Sequence, residues 1–232
     1  MTSSELFQQI SKKKIDKEKI AGHVMRNPEL LPAIFEGLGA EEANLKYGCD
    51  KILRIISRRE PSLLYSKIDF FISNLQSQTT FLKWSAIDII ANLAAVDTDM
   101  KIEGIFDRYF APIPGPVLIT ASNLIKAAAR IALAKPQLTA RIAQELMQVE
   151  KAKYQTAECR NIALGQAIES FDQFFKQLAD KETVIEFVGR QLNNKRKPTK
   201  KKAEKFLRKH RIAGTKRGQA SDKMIAHGME LL

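Results

Sequence analysis

The chain has 232 residues, 44% hydrophobic and 28% charged, with 11 glycines and 8 prolines. That suits one large domain or two small ones and excludes collagen-like and Pro/Gly-rich disordered chains. The net charge of +12 is uneven: residues 190–217 hold 13 basic side chains and one acid, Glu204, while the rest holds 25 of each sign.

The N-terminal MTSSELFQQISKKK has no apolar run, so no secretory signal is expected. Helices are predicted over 3–12 and 16–26. Asn27-Pro28-Glu29 reads as cap, first position and first-turn acid of a helix over 28–38, stopped at Gly37-Leu38-Gly39. Over 41–58, Leu45, Cys49, Ile52, Leu53 and Ile56 step by 4, 3, 1 and 3, the spacing of one helical face. Pro61 opens a helix over 61–75. Over 78–95 the same steps return in Leu82, Ala86, Ile89, Ile90 and Leu93. A helix over 99–110 ends at the strongest breaker in the chain, Ala111-Pro-Ile-Pro-Gly-Pro116. The next, 115–134, is the most apolar stretch, but Lys126 and Arg130 interrupt it, so a membrane span is not expected. Helices over 136–152, 155–178, 181–192 and 198–210 follow. Beyond residue 211 the periodicity stops. There Ser221 would cap a last short helix bearing Met224, Ile225, Met229 and Leu232. No two-residue alternation calls for a strand, so the chain reads as all-α.

From residue 28 the helices fall into antiparallel pairs, each second helix being the longer. Leu45-Lys46-Tyr47 aligns with Leu82-Lys83-Trp84 at a spacing of 37, then with Ile119-Thr120-Ala121, and after 40 more with Cys159-Arg160-Asn161. With Pro28-Glu-Leu-Leu31, Pro61-Ser-Leu-Leu64 and Lys200-Lys-Lys-Ala-Glu-Lys-Phe-Leu207, these residues make the chain resemble HEAT or armadillo-like helical repeat proteins over 16–210. The resemblance implies a right-handed α-solenoid of about five antiparallel helix pairs. Capping helices would occupy 1–27, repeats 28–192, a basic closing helix 193–211 and a tail 212–232. A solenoid offers an extended concave surface for a partner.

On that surface Tyr47 and Lys51, Trp84 and Asp88, and Ala121 and Ile125 are expected to form a ridge at i, i+4 spacing. Trp84 stands either in the groove or between repeats, where an aromatic at helical spacing often packs. Lys46, Asp50 and Arg54 read as a solvated ion-pair ladder along one helix. The sharpest feature is the basic run of Lys195, Arg196, Lys197, Lys200, Lys201, Lys202, Lys205, Arg208, Lys209 and Arg211. It is either a polyanion contact or the polar outer face of an end repeat. Lys195-Arg-Lys also matches a weak nuclear import pattern. Only Phe206 is interleaved with these cations, so base stacking on single strands is not supported.

No P-loop, GxGxxG, HExxH, EF-hand or GxSxG pattern is present. Cys49 and Cys159 form no CxxC pair, and His23, His210 and His227 lack metal-ligand spacing. No catalytic residue, metal or cofactor is therefore expected. The reading is a cytoplasmic, non-enzymatic scaffold binding a protein, with nucleic acid as a further candidate at 190–217 and neither a membrane nor a small-molecule substrate evident. The alternative is a DNA-binding relative of HEAT-like alkylpurine DNA glycosylases, because Trp84-Ser-Ala-Ile-Asp88 resembles their aromatic and aspartate on one helix. In that resemblance Asp88 would stabilise a cationic sugar and Trp84 would pack on the lesion. Those enzymes carry further tryptophans, and this chain has one.

Overall fold

The computed structural model describes residues 2–12 and 14–210. Arg211 and the expected tail helix with Met224, Ile225, Met229 and Leu232 lie outside them. The described residues form helices and short 3-10 turns, with no strand among them. None of these helices is long and apolar enough to cross a membrane.

Local chemistry sets the first elements. Thr2 and Glu5 close a reciprocal capping box on α1 (Ser3–Ile10), and Asp16 caps α2 (Lys17–Arg26). Asn27 does not cap the next helix. Its side-chain amide instead donates to the His23 carbonyl (2.9 Å), so it closes α2. Pro28 then opens a 3-10 turn that leads into α3 (Leu31–Gly37).

The remaining helices follow the expected order, with two breaks. After α4 (Ala43–Arg59), the stretch expected as one helix over 61–75 is split into α5 (Ser62–Tyr65) and α6 (Ile68–Asn74). After α7 (Thr80–Leu93), the stretch over 99–110 is split into α8 (Lys101–Gly104) and α9 (Phe106–Phe110). One buried residue links the end of α5 to the start of α8. The Asp97 carboxylate accepts from the Tyr65 hydroxyl at the end of α5 (2.8 Å). It also accepts from the N–H groups of Lys101 and Ile102 at the start of α8 (3.0 and 3.1 Å). Then come α10 (Leu118–Ala134), α11 (Thr139–Met147), α12 (Ala157–Phe174), α13 (Glu182–Arg190) and α14 (Lys197–Lys209).

Packing separates long helices from short ones. The long helices, α4, α7, α10, α12 and α14, lie side by side, each against the next in sequence order. Of the short helices, α2 and α3 pack on α4, α6 on α7, α11 on α10 and α12, and α13 on α14. The α9 helix is fixed by Tyr109, whose hydroxyl donates to the Ile87 carbonyl of α7 (2.6 Å).

The core stripe of the long helices repeats. Cys49, Ile52, Leu53 and Ile56 are answered by Ala86, Ile89, Ile90 and Leu93, then by Ala121, Leu124, Ile125 and Ala128, all at most 1% exposed. Ala163, Leu164 and Ala167 continue the stripe on α12. This register corrects the expected alignment at α10. A spacing of 37 placed Ile119 beside Leu45 and Leu82 in the core, yet Ile119 is 55% exposed, and Ala121 stands two residues later in the place of Cys49 and Ala86. The helix begins after the Gly115–Pro116 turn, and a shift of two residues rotates it by about 200°, enough to exchange buried and exposed faces.

Candidate functional site

The solvent side of the long helices is built from one stripe on each. On α4 it carries Tyr47, Lys51, Arg54 and Arg58; on α7, Trp84, Asp88, Asn92 and Ala95, the last just past its final turn. On α10 it carries Ile119, Lys126, Arg130 and Leu133. Steps of three, four and seven keep each set on one helical face. Cross-links between stripes ascend in both partners, so these helices run parallel. The Tyr47 and Phe81 rings meet edge-on at 5.1 Å, and Arg54 Nε reaches Asp88 Oδ2 at 2.8 Å. The Asn92 amide donates to the Ser57 hydroxyl at 2.8 Å, and the Trp84 indole N–H donates to Thr120 Oγ1 at 3.1 Å.

The centre of this face is an arginine–aspartate–arginine bridge across three helices. Asp88 Oδ2 takes Arg54 from α4 and Asp88 Oδ1 takes Arg130 from α10, the latter at 2.7 Å. Burial pushes the Asp88 carboxyl up, but the two guanidiniums, Arg130 before Arg54, more than offset it and hold the carboxyl below the usual aspartate range. Beside it, Asp50 is held above that range, chiefly by burial, with the Ser85 hydroxyl and Arg54 acting the other way. In place of the expected Lys46–Asp50–Arg54 ladder, Arg54 bonds to Asp88 of the neighbouring helix and Asp50 lies half-buried beside Ser85.

The expected ridge residues have different fates. Tyr47 and Lys51 are exposed, while Trp84 is half-buried against the core in the α7–α10 seam. Asp88 is half-buried, with both oxygens engaged. Ala121 and Ile125 are fully buried and leave the ridge, a consequence of the rotated register of α10. Arg58, Lys126 and Arg130 were not expected on this face. Their signal was the same helical step counted from Tyr47 and Ile119. An open groove at its far end is lined by Ser57, Arg58, Asn92, Arg130 and Leu133.

The basic helix α14 is docked through part of its charge. Arg196, just before it, pairs with Glu158 (2.7 Å), Lys202 with Glu169 (2.9 Å) and Lys209 with Asp172 (2.8 Å), all on α12. Burial pushes the Asp172 carboxyl up, but Lys209 and His210 together hold it below its ordinary range. Lys195, Lys197, Lys200, Lys201, Lys205 and Arg208 have no ion-pair partner among the described residues. Lys201 and Lys205 flank a shallow cleft with Glu169, Asp172 and Phe206.

Cys49 is buried beside Gly37, and burial pushes its thiol up to about 12, far from a reactive thiolate. Cys159 is half-buried near Val117, Ile119 and Tyr154. Among the described residues, no three acids, histidines or cysteines converge as metal ligands would.

No family model and no curated protein matches the chain. Among solved structures it is similar to an engineered protein from the Northeast Structural Genomics Consortium. The two are 14% identical over 89% of this chain and 87% of that one, with a TM-score of 0.52. At that identity the likeness speaks for the helical fold alone.

Proposed function

We propose that the protein is a right-handed HEAT-like α-solenoid of about five antiparallel helix pairs, acting as a non-enzymatic scaffold. A protein partner would bind along the face of its long helices. Residues 195–209 would add affinity for an acidic partner or nucleic acid. The observation carrying this reading is the row α4–α7–α10–α12–α14. The five long helices lie side by side in sequence order, and the first three run parallel and each expose one stripe, as a stacked repeat array would present a binding surface.

The glycosylase-like reading has less support. Both Asp88 oxygens already accept from guanidiniums, and the Trp84 N–H is committed to Thr120. A carboxylate neutralised twice is a poor stabiliser of a developing cation. Incubation with alkylated duplex DNA is expected to release no base.

The scaffold reading is tested by photo-crosslinking in the native host. A crosslinker is placed at Lys51 or Lys126 on the long-helix face, or at Arg108 on α9. Discrete protein adducts are expected from the first two and not from the third. Equal adducts from all three positions, or none, would overturn the reading.

A further inference from the structure

The long-helix face is not uniform, and its pattern specifies a partner chemistry. One band lies near the N-terminal ends of α4, α7 and α10 and is apolar. Tyr47 is 55% exposed, Ile119 55%, and Val117, just ahead of α10, 51%. Phe81 and Trp84 stand half-buried between them. Exposed apolar side chains gathered in one patch mark interaction surfaces more often than scattered ones do. The second band runs from the helix middles toward their C-terminal ends and is cationic. Lys51, Arg58 and Lys126 are exposed, and Arg54 and Arg130 are half so.

Segregation of charge between helices strengthens this. Over α4, α7 and α10 there are eight lysines and arginines and two acids. Asp88 is spent on Arg54 and Arg130, and Asp50 is half-buried beside Ser85. Neither offers free negative charge to the surface. Arg130 Nε is buried without a protein partner among the described residues. The near-neutral charge of the chain outside 190–217 therefore hides a positive face.

We propose that this face binds an acidic amphipathic peptide segment of a protein partner, with its apolar side chains on Tyr47, Trp84 and Ile119 and its carboxylates on Lys51, Arg58 and Lys126. The proposal rests on the scaffold reading and adds the chemistry of what is bound. A duplex would use the cations through its phosphates and leave the apolar band of Tyr47, Val117 and Ile119 uncovered. A peptide with one acidic and one apolar side uses both bands, and charge complementarity fixes which way it lies.

The test is fluorescence anisotropy of the full chain with four labelled probes. They are a helical peptide with glutamates on one face and leucine and phenylalanine on the other, a scrambled peptide of the same composition, single-stranded DNA and duplex DNA. The amphipathic peptide should bind best and weaken with salt. The Arg58→Glu/Lys126→Glu and Tyr47→Ala/Ile119→Ser variants should each weaken it about tenfold. Circular dichroism confirms that the variants fold, since all four side chains lie on the surface. Equal binding of the scrambled peptide, or binding indifferent to the variants, overturns the proposal. Binding of DNA in place of the peptide, lost in the charge-reversal variant, replaces it with a phosphodiester partner. If the peptide fails while Lys51 and Lys126 still crosslink a partner, the scaffold reading stands and this inference falls. If both fail, both fall.

Discussion

Asp97 holds more of the fold together than any surface acid. Its side chain is 0% exposed and receives Tyr65, two backbone N–H groups and Lys135 Nζ at 3.0 Å, itself only 8% exposed. Burial pushes this carboxyl up, and the Tyr65 and Lys135 hydrogen bonds with those of Ile102 and Lys101 more than reverse it, leaving it below its ordinary range. Asp97→Asn would strand Lys135 with only Glu103 as a charged partner (3.2 Å). A loss of about 2–4 kcal/mol is expected, read from urea unfolding at neutral pH. The sign with pH follows from the lowered carboxyl. Its stabilisation is present above the unfolded aspartate value of about 3.9 and is lost as pH falls through the lower folded value. The gap between wild type and Asp97→Asn should therefore hold from neutral pH to about pH 5 and close in stronger acid. A gap that widened on acidification would contradict the assignment.

At the scale of elements, the helices were legible because apolar steps of three and four survive any context. The stripe from Cys49 to Ile56 and its repeat from Ala86 to Leu93 lie in the core as read. The breaks in 61–75 and 99–110 were not legible. They fall at 66–67 and at Ile105, inside runs whose apolar spacing continues through them, and the Tyr65–Asp97 hydrogen bond beside the first joins residues 32 apart, which no local pattern reports. The register of α10 failed because a fixed spacing was carried across the 111–116 breaker. The same rotation removed Ala121 and Ile125 from the candidate face and left Lys126 and Arg130 on it. A second close contact also escapes sequence patterns. A Cβ built on Gly165 of α12 would lie 2.8 Å from Thr199 Oγ1 of α14, whose hydroxyl donates to the Asn161 carbonyl. Helix propensity alone favours Gly165→Ala by about 1 kcal/mol. Contact wins here, since Thr199 is buried and bonded, and a net loss of about 1–2 kcal/mol is expected in thermal unfolding. A stabilised Gly165→Ala protein would show that α14 moves away at little cost.

For the whole molecule, the contacts of each long helix with its sequence neighbours imply near-additive stability along the row. Ending the chain at Asn194 removes α14, with its buried Ala203 and Phe206, and uncovers Phe175 of the preceding layer. The remaining helices should persist, with helical ellipticity per residue nearly unchanged and Tm lower by about 5–15 °C. Collapse of all helical signal at room temperature would instead mean that the row folds only as a unit. The same truncation removes the unpaired lysines of α14 but leaves Arg58, Lys126 and Arg130, so the two basic regions can be separated experimentally.

The parallel run of the long helices has an electrical consequence. Peptide dipoles along a helix add, placing about half a positive charge at the N-terminus and half a negative one at the C-terminus. In an antiparallel bundle of equal helices these cancel. Here the row holds helices of 13 to 18 residues, whereas the short helices span 4 to 10 residues and two of the short stretches are broken. Cancellation is therefore incomplete. One rim of the molecule gathers helix starts, and the opposite rim gathers helix ends, where Arg58 and Arg59 sit in the last turn of α4. These end charges act within the first and last turns, so Arg58 and Arg59 complement the negative end of α4, while the helix starts beside Tyr47 and Ile119 add positive potential next to the exposed apolar side chains.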